Sequence, residues 1–367
     1  RKIIFSGGKM SLCTFLSSGI NKKLSRIPRS ESSFNRFDCT EKSDGRIVVS
    51  TVQRKIRLVS DLSAYMENME KFILQSKNRN SDLIVFPEYN FFDIFGFIPV
   101  MKPLNFLLKF FHSENVQKPD SADQNTLMHD IFFMLAQGIE ESMKILYSQL
   151  ARKYGIFIYS GTFIIKRRNS LYNCGFLFDR AGKVVLEQMK THLTPSEEKM
   201  GITCGNTLET FLINGVRFAF PICMDASYFE VFRILMDMNT DVAVIPIANN
   251  EEYDISRAAR GIWARVQETP MYGIKSSLNG WIMGQKFTGK AGIFAPVNLT
   301  ASQNGVVSIS SAPSGDFLIT SLIDPSSIRL YSKNNEYSVH HNFDFEFQSC
   351  NSYKKYNPHD IKKKGPA

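Results

Sequence analysis

Leu83-Ile84-Val85-Phe86 carries an apolar side chain at every position, on both faces of any pleat it could form. Such a strand has to be covered on both sides, as in the interior of a parallel or mixed sheet. The residues before it fit that setting. Arg46–Val52 is short and β-branched. From Asp61, Leu62, Tyr65, Met66, Met69, Phe72 and Ile73 fall on one helical face, until Asn78, Asn80 and Ser81 break the pattern. Strand, helix, strand in this order predicts a βαβ unit with parallel strands, hence an α/β fold. Val216–Ile222 and Val242–Pro246 read as two more buried strands.

Between these landmarks the pattern changes. Residues 91–136 begin aromatic and turn polar, and predict either a connection over the sheet edge or a lid on a pocket. A helix is predicted over Ile131–Lys153. Ile156–Gly161, Leu171–Phe178 and Val184–Leu186 predict an antiparallel meander. Leu208–Leu212 pairs with Val216–Ile222 through the turn signal Asn214-Gly215. Helices are predicted over Tyr228–Met236 and Ile255–Glu268, and strands over Tyr272–Ser277, Ala291–Phe294, Gly305–Ser310 and Asp316–Asp324.

The net charge of +9 suggests a polyanion or membrane partner until it is located: residues 1–46 carry +6 and residues 351–367 carry +4, so the span between is near neutral. We therefore expect a basic, flexible arm over 1–46, a folded domain over 47–334, an extension with a Lys-rich tail over 335–367, and no nucleic-acid partner. The arm is also Ser-rich, so a transit segment starting near Met10, leading to a mitochondrion or another organelle, is the alternative to a cytoplasmic location. The six cysteines (13, 39, 174, 204, 223 and 350) show no CxxC pair, which fits reduced thiols. There is no HExxH or Cys/His metal pattern, and no GxSxG, GxGxxG or P-loop. No segment is long and apolar enough to span a membrane; Asp93, Pro99, Lys102, Pro103 and Lys109 interrupt the most apolar stretch.

Three reactive side chains directly follow predicted strands: Glu88, Lys190 and Cys223. In α/β sheets the carboxyl ends of strands are where chemistry gathers. A cysteine at a strand-to-helix junction can be exposed and biased toward thiolate by the helix N-terminus. Glu88 would take the thiol proton, Cys223 would attack a carbonyl or nitrile carbon, and Lys190, with the backbone N–H of Met224, would face the oxyanion. Glu198, eight residues past the lysine, would hold Lys190 in place or assist proton transfer. His192 is the one imidazole near these motifs, and a positional hydrogen-bonding role suits it better than that of base.

Taken together these residues resemble the carbon–nitrogen hydrolase (nitrilase) superfamily over roughly residues 47–325. The resemblance rests on Phe86-Pro-Glu88, then Lys190 with Leu193, Pro195 and Glu198, then Cys223-x-Asp225 with Glu230. Asn173, Gly182-Lys183, Asn249-Asn250, Ala264-Arg265-x-x-Glu268 and the stretch Gly289 to Pro296 are similar too. The form of the lysine motif most resembles the amidase-like branch, often joined to an acetyltransferase domain that residues 1–46 do not accommodate. The resemblance implies an α-β-β-α sandwich of two mixed sheets flanked by helices, usually paired in a homodimer. It implies a Glu88, Lys190, Cys223 triad supported by Glu198, with no metal and no organic cofactor; Met224 and Asn249 are candidate substrate-binding residues. Asp225 favours amides over nitriles, whereas Met224, Ser227 and Phe229 depart from the Tyr, Arg and Pro common around this cysteine in small amidases. The implied activity is cysteine-dependent hydrolysis of a small linear amide or N-carbamoyl compound through a thioester. The alternatives are acyl transfer to an amine, nitrile hydrolysis, or a non-catalytic binding protein of the same fold.

Overall fold

The structure, a computed structural model, describes residues 20–26, 45–98, 101–103, 105–106 and 121–334. The expected C-terminal extension lies outside the described residues, as do most of the expected arm and part of 91–136; within the arm, residues 20–24 are helical and Ile20 and Leu24 are buried in the core, so the arm is not flexible there. Packing divides the chain into Arg1–Ile328 and Arg329–Ala367.

The βαβ unit forms as β1 (Ile47–Lys55), α1 (Leu62–Asn78) and β2 (Leu83–Val85). Asp61 caps α1 by accepting from the Ala64 N–H at 2.9 Å, and the buried face of the helix is the predicted one. After α2 (Ser121–Tyr154) come β3 (Phe157–Arg167), β4 (Ser170–Phe178), β5 (Val184–Met189) and a short helix, α3 (Pro195–Lys199). The second half holds β6 (Thr210–Ile213), β7 (Val216–Ala219), α4 (Phe229–Asp237), β8 (Val242–Ile247), α5 (Ile255–Ala258), α6 (Ala264–Glu268) and β9 (Tyr272–Ile282). Then follow β10 (Gln285–Phe287), β11 (Gly292–Phe294), β12 (Val306–Ile309), β13 (Phe317–Ile323) and α7 (Pro325–Asn334). The β6–β7 turn is the predicted one: Asn214 and Gly215 both have positive φ, 52° and 79°, as a two-residue hairpin requires.

The strands run in the order β5-β4-β3-β2-β1-β9-β8-β7-β6, with β13 beside β1, and β10 and β11 beside β9. β2 lies parallel to β1 and β3, and β8 parallel to β7 and β9. Three apolar layers define the architecture. One joins α1 and α2 to the β2–β4 half. A second lies between the halves, bringing Val49, Val85, Tyr159 and Leu177 together with Phe218, Val244 and Ile274. The third sits under α4 and α6, with Phe232, Leu235, Ile262 and Val266 against Ala243, Ile245 and Phe294. This is the expected α-β-β-α layering with one difference. The two sheets are a single hydrogen-bonded network, joined where Gln53–Lys55 of β1 pairs with Ser277–Asn279 of β9.

Two helices differ from expectation. α2 starts at Ser121, ten residues before the predicted Ile131, because its first turns carry polar residues and no apolar stripe to read. The predicted helix Ile255–Glu268 is broken: a π turn over Ala259–Trp263 separates α5 from α6, and Gly261 leaves helical geometry altogether, at ψ −137°. Beyond Glu88, the turn Phe92–Phe97 is fully buried and anchored by an Arg54–Asp93 ion pair of 2.6 Å. Burial pushes the Asp93 carboxyl up to about 6 against the pull of Arg54.

Candidate active site

β2 delivers Glu88 through a turn that depends on one glycine. At Tyr159–Thr162 the β3–β4 register shifts, and Gly161, at φ +71°, passes so close that a Cβ there would sit 1.9 Å from the Pro87 carbonyl oxygen. The displaced strand then accepts the chain after Glu88: Tyr89 N–H donates to Thr162 Oγ1 and Asn90 N–H to the Thr162 carbonyl, both at 3.1 Å. Tyr89 itself has φ +50°.

Lys190 directly follows β5 and is fixed by its N–H to the Asn173 carbonyl of β4, at 2.8 Å. Its side chain is buried and donates to Glu88 Oε1 at 2.8 Å. The second carboxylate on the ammonium is Glu197, not Glu198: the Nζ–Oε2 distance is 2.8 Å and Nζ–Oε1 is 3.0 Å. Glu198 is exposed. The reason is local. Thr194 caps α3, and Glu197, at its third position, reaches back to the Thr194 N–H at 2.8 Å in a capping box that turns its carboxylate inward. Glu198, one residue further round the helix, points to solvent. Asn173 Nδ2 ties the two acids together, donating to Glu88 Oε1 at 2.9 Å and Glu197 Oε1 at 3.0 Å. The Tyr89 hydroxyl also donates to Glu197, and the Ala248 N–H just past β8 donates to Glu88 Oε2 at 3.1 Å.

Cys223 follows β7 by three residues and is half-buried, with φ +45°. A non-glycine residue in that region carries strain of about 1–3 kcal/mol and persists only when its surroundings hold it. Asp225 is the holder. Fully buried, it accepts from the Ile222 N–H at 2.8 Å, and from Thr191 Oγ1 and the His192 N–H at 2.7 Å each. His192 Nδ1 lies 3.0 Å from the same carboxylate, and the ring stacks on Tyr228 at 3.9 Å. The cysteine turn and the lysine loop are thus bolted together, with His192 in the positional role. Asn249 Oδ1 is 4.0 Å from Cys223 Sγ. Met224 is half-buried beside it.

The electrostatics overturn one expectation. Cys223 opens a 3₁₀ turn, Cys223–Ser227, that separates it from α4. Burial, and then the Glu88 charge, push its thiol well up, against the pull of Lys190. The resting sulfur is therefore a neutral thiol. Burial also raises Glu88, with Lys190 opposing and Glu197 adding to the rise. Burial would lower Lys190, but Glu88, Cys223 and Glu197 outweigh it and hold the ammonium charged. Burial raises Glu197, and Lys190 more than compensates, leaving it below the usual carboxylate range. The cluster thus has a permanent cation between two acids, of which Glu88 is the one poised to take a proton.

Glu88 and Lys190 are in direct contact, and the charges of both act on the Cys223 sulfur. Tyr89 and Glu197 were missed; the Thr194-x-x-Glu197 spacing was a readable signal for the latter. Among the described residues no group of three or more His, Cys, Asp or Glu could hold a metal ion, and no helix is long and apolar enough to cross a membrane.

Comparison with known proteins agrees with this architecture. The profile of the carbon–nitrogen hydrolase family matches residues 48–272. The "Probable hydrolase YhcX" of Bacillus subtilis is 23% identical over 299 residues; the match takes in 80% of this chain and 53% of that protein, so this chain spans about half its length. An (R)-stereoselective amidase of Pseudomonas sp. is 33% identical over 104 residues, 28% of this chain and 36% of that one. Among solved structures, a mutant amidase from Nesterenkonia sp. AN1, with the acetamide moiety of fluoroacetamide added covalently at its active-site cysteine, superposes with a TM-score of 0.56. It is 14% identical and covers 80% of this chain and 95% of its own, a likeness of fold. With the family profile matched across most of the strands that carry Glu88, Lys190 and Cys223, this chain belongs to the carbon–nitrogen hydrolase family.

Proposed function

We propose that this chain is a thiol amidohydrolase acting on a small linear amide or N-carbamoyl compound, with Cys223 as nucleophile, Glu88 as general base and acid, and Lys190 as oxyanion partner. The observation that carries the reading is the buried Lys190 ammonium held between Glu88 and Glu197, next to a half-buried thiol kept protonated. A neutral thiol needs a base in the same step as attack, and Glu88 is the ionised group acting most strongly on it.

The steps balance. Glu88 takes the thiol proton as sulfur bonds to the carbonyl carbon, and the carbonyl electron pair moves onto oxygen, facing Lys190 and the Met224 N–H. The oxyanion collapses, the carbon–nitrogen bond breaks, and protonated Glu88 gives its proton to the departing amine. A thioester remains. Water then attacks it, losing a proton to Glu88, and the carbon–sulfur bond breaks as Glu88 returns that proton to the Cys223 sulfur, releasing the acid and restoring the thiol. Losing one oxyanion donor typically costs about 3–4 kcal/mol of barrier. Glu197 keeps Lys190 charged throughout, the role expected of Glu198.

A homodimer and a cytoplasmic location belong to the same proposal. Exposed apolar side chains at Phe229 and Ile234 of α4, beside Tyr228, support the first, and the free thiols of Cys174, Cys204 and Cys223 the second.

Intact-mass spectrometry after incubation with a panel of amides tests the function. An acyl mass on the parent chain, absent from Cys223→Ala, is expected together with ammonia release. An adduct that persists in Cys223→Ala would overturn the assignment, and ammonia release that stops after one equivalent in water and continues only with an added amine acceptor would replace hydrolysis with transfer.

A further inference from the structure

Three cations are buried among the described residues: Arg54, Lys190 and Lys275. Arg54 is paired with Asp93 at 2.6 Å, and Lys190 with Glu88 and Glu197 at 2.8 Å each. Lys275 is different. It lies in β9, opposite Ile245 of β8 and Gly292 of β11, and is 7% exposed. Its face of β9 is the one covered by the kinked helix: a Cβ at Gly273, two residues earlier, would run into Ile262 and Val266. The ammonium stands 6.0 Å from the centre of the Phe294 ring. The layer around it is Ile245, Ile247, Ile262, Val266 and Phe294, and no carboxylate of the described residues pairs with it.

Burying an ammonium without an acid is costly; such a group is driven toward its neutral form unless a counter-charge completes the pair. The location says which ligand. Cys223 packs against this same layer, close enough that negative charge forming on its sulfur would favour the ammonium form of Lys275. The next side chain on that face of β9, Ser277, is also buried, and its hydroxyl has no hydrogen-bond partner. Ser277 lies opposite Ile247, and β8 runs on from there to Asn249, whose Oδ1 is 4.0 Å from Cys223 Sγ. An unpaired cation and an unpartnered hydroxyl thus lie along the strand pair that leads to the nucleophile.

We infer that Lys275 is a specificity-determining residue that receives a carboxylate on the substrate, so that the compound cleaved at Cys223 carries an anionic group beyond its scissile carbon–nitrogen bond. The inference rests on the amidohydrolase reading. It names the substrate class: monoamides of short dicarboxylic acids, with the carboxylate on the acyl side, or N-carbamoyl amino acids, with it on the amine side. Burial pulls the amine down to about 8, with Cys223 opposing and Lys290 adding to the pull, so it is mostly protonated at neutral pH. A carboxylate against it would restore the full charge.

The test compares isosteres. Succinamate and butyramide differ in a terminal carboxylate against a methyl group; N-carbamoylglycine and ethylurea differ likewise on the amine side. The parent chain is expected to prefer one carboxylated member of these pairs. In Lys275→Met the ratio of kcat/KM for that member over its neutral isostere should fall about 10- to 100-fold, the range for losing a charge-assisted hydrogen bond. Which pair shows the preference tells the acyl side from the amine side. Turnover of neutral amides with no preference, or an equal fall on both members in Lys275→Met, overturns the inference and leaves the amidohydrolase reading standing. Calorimetry with Cys223→Ala protein reads the subsite without turnover. Binding of succinamate or N-carbamoylglycine that is lost in Cys223→Ala/Lys275→Met supports the subsite even if no amide is hydrolysed, in which case the hydrolase reading alone fails. Absence of both turnover and binding overturns both.

Discussion

Glu197 and Glu198 are neighbours in sequence with opposite environments, and replacing each by Gln separates the two. Glu197 receives the Lys190 ammonium on both oxygens, at 2.8 and 3.0 Å, and also accepts from Tyr89, Asn173 and Thr194. In Glu197→Gln the amide keeps one acceptor oxygen and turns its NH₂ toward a group that is itself a donor. One charge-assisted bond is lost and a buried ammonium loses half its compensation, so the cost should be about 2–4 kcal/mol of stability at pH 7. Glu198→Gln, on the exposed side of α3, should stay within about 0.5 kcal/mol of the parent. Urea unfolding at two pH values reads both. Glu197 is held below its usual value of 4.5, so its contribution is present above that pH and is lost as the pH falls through its depressed value. The gap between Glu197→Gln and the parent should therefore be wide at pH 7 and close in acid. Activity gives a second readout. Glu197 helps to hold Glu88 up, so its loss should shift the acidic limb of kcat/KM to lower pH as the rate falls. A parent-like Glu197→Gln beside a damaged Glu198→Gln would refute the geometry of the lysine loop.

Further outcomes follow from the same contacts. In the parent, activity should fall as pH drops through the raised value of Glu88, at a pH above 4.5, and show no loss from thiol ionisation up to pH 9; a pH–rate profile from 4 to 9 measures the acid limb and checks that no alkaline one appears. Asp225→Ala removes five polar contacts to Ile222, Thr191 and His192, and should cost about 3–5 kcal/mol and most of the activity, read by urea unfolding and amide turnover. Gly161→Ala places a Cβ against the Pro87 carbonyl at positive φ; it should lower Tm by several degrees and displace Glu88, seen as a loss of activity in the protein that still folds.

The parts of this molecule that could be read in advance are those where one physical term decides. Leu83–Val85 and Val242–Ile247 are buried on both faces, and their composition admits nothing else. Asn214-Gly215 supplies the two positive φ angles a short hairpin demands. The candidate site is legible because Glu88 and Cys223 each stop an apolar run and Lys190 follows shortly on a third strand. What escaped depended on contacts distant in sequence or on competing local preferences. Glu197 and Glu198 carry the same side chain, and only the cap from Thr194 decides which turns inward. The neutral state of Cys223 follows from burial and from Glu88, 135 residues away, and not from the residues beside it. β10 begins with Gln285 and Lys286 and offers no apolar alternation, and the junction of β1 with β9 is set by register alone. Gly261 marks the break in the predicted helix, yet a single glycine within a helical pattern is tolerated too often to signal one.

Alkylation by fluoroacetamide tests the central claim most directly, because exposure and activation point to different sulfurs. Cys204 is exposed and Cys223 only half-buried. With peptide mapping over time, a working Glu88–Lys190–Cys223 centre predicts labelling of Cys223 first, slowed in Glu88→Gln by about 100-fold or more, within the range for removing a general base, while Cys204 labels at an unchanged rate. Labelling of Cys204 ahead of Cys223, or a Cys223 rate indifferent to Glu88→Gln, would contradict it.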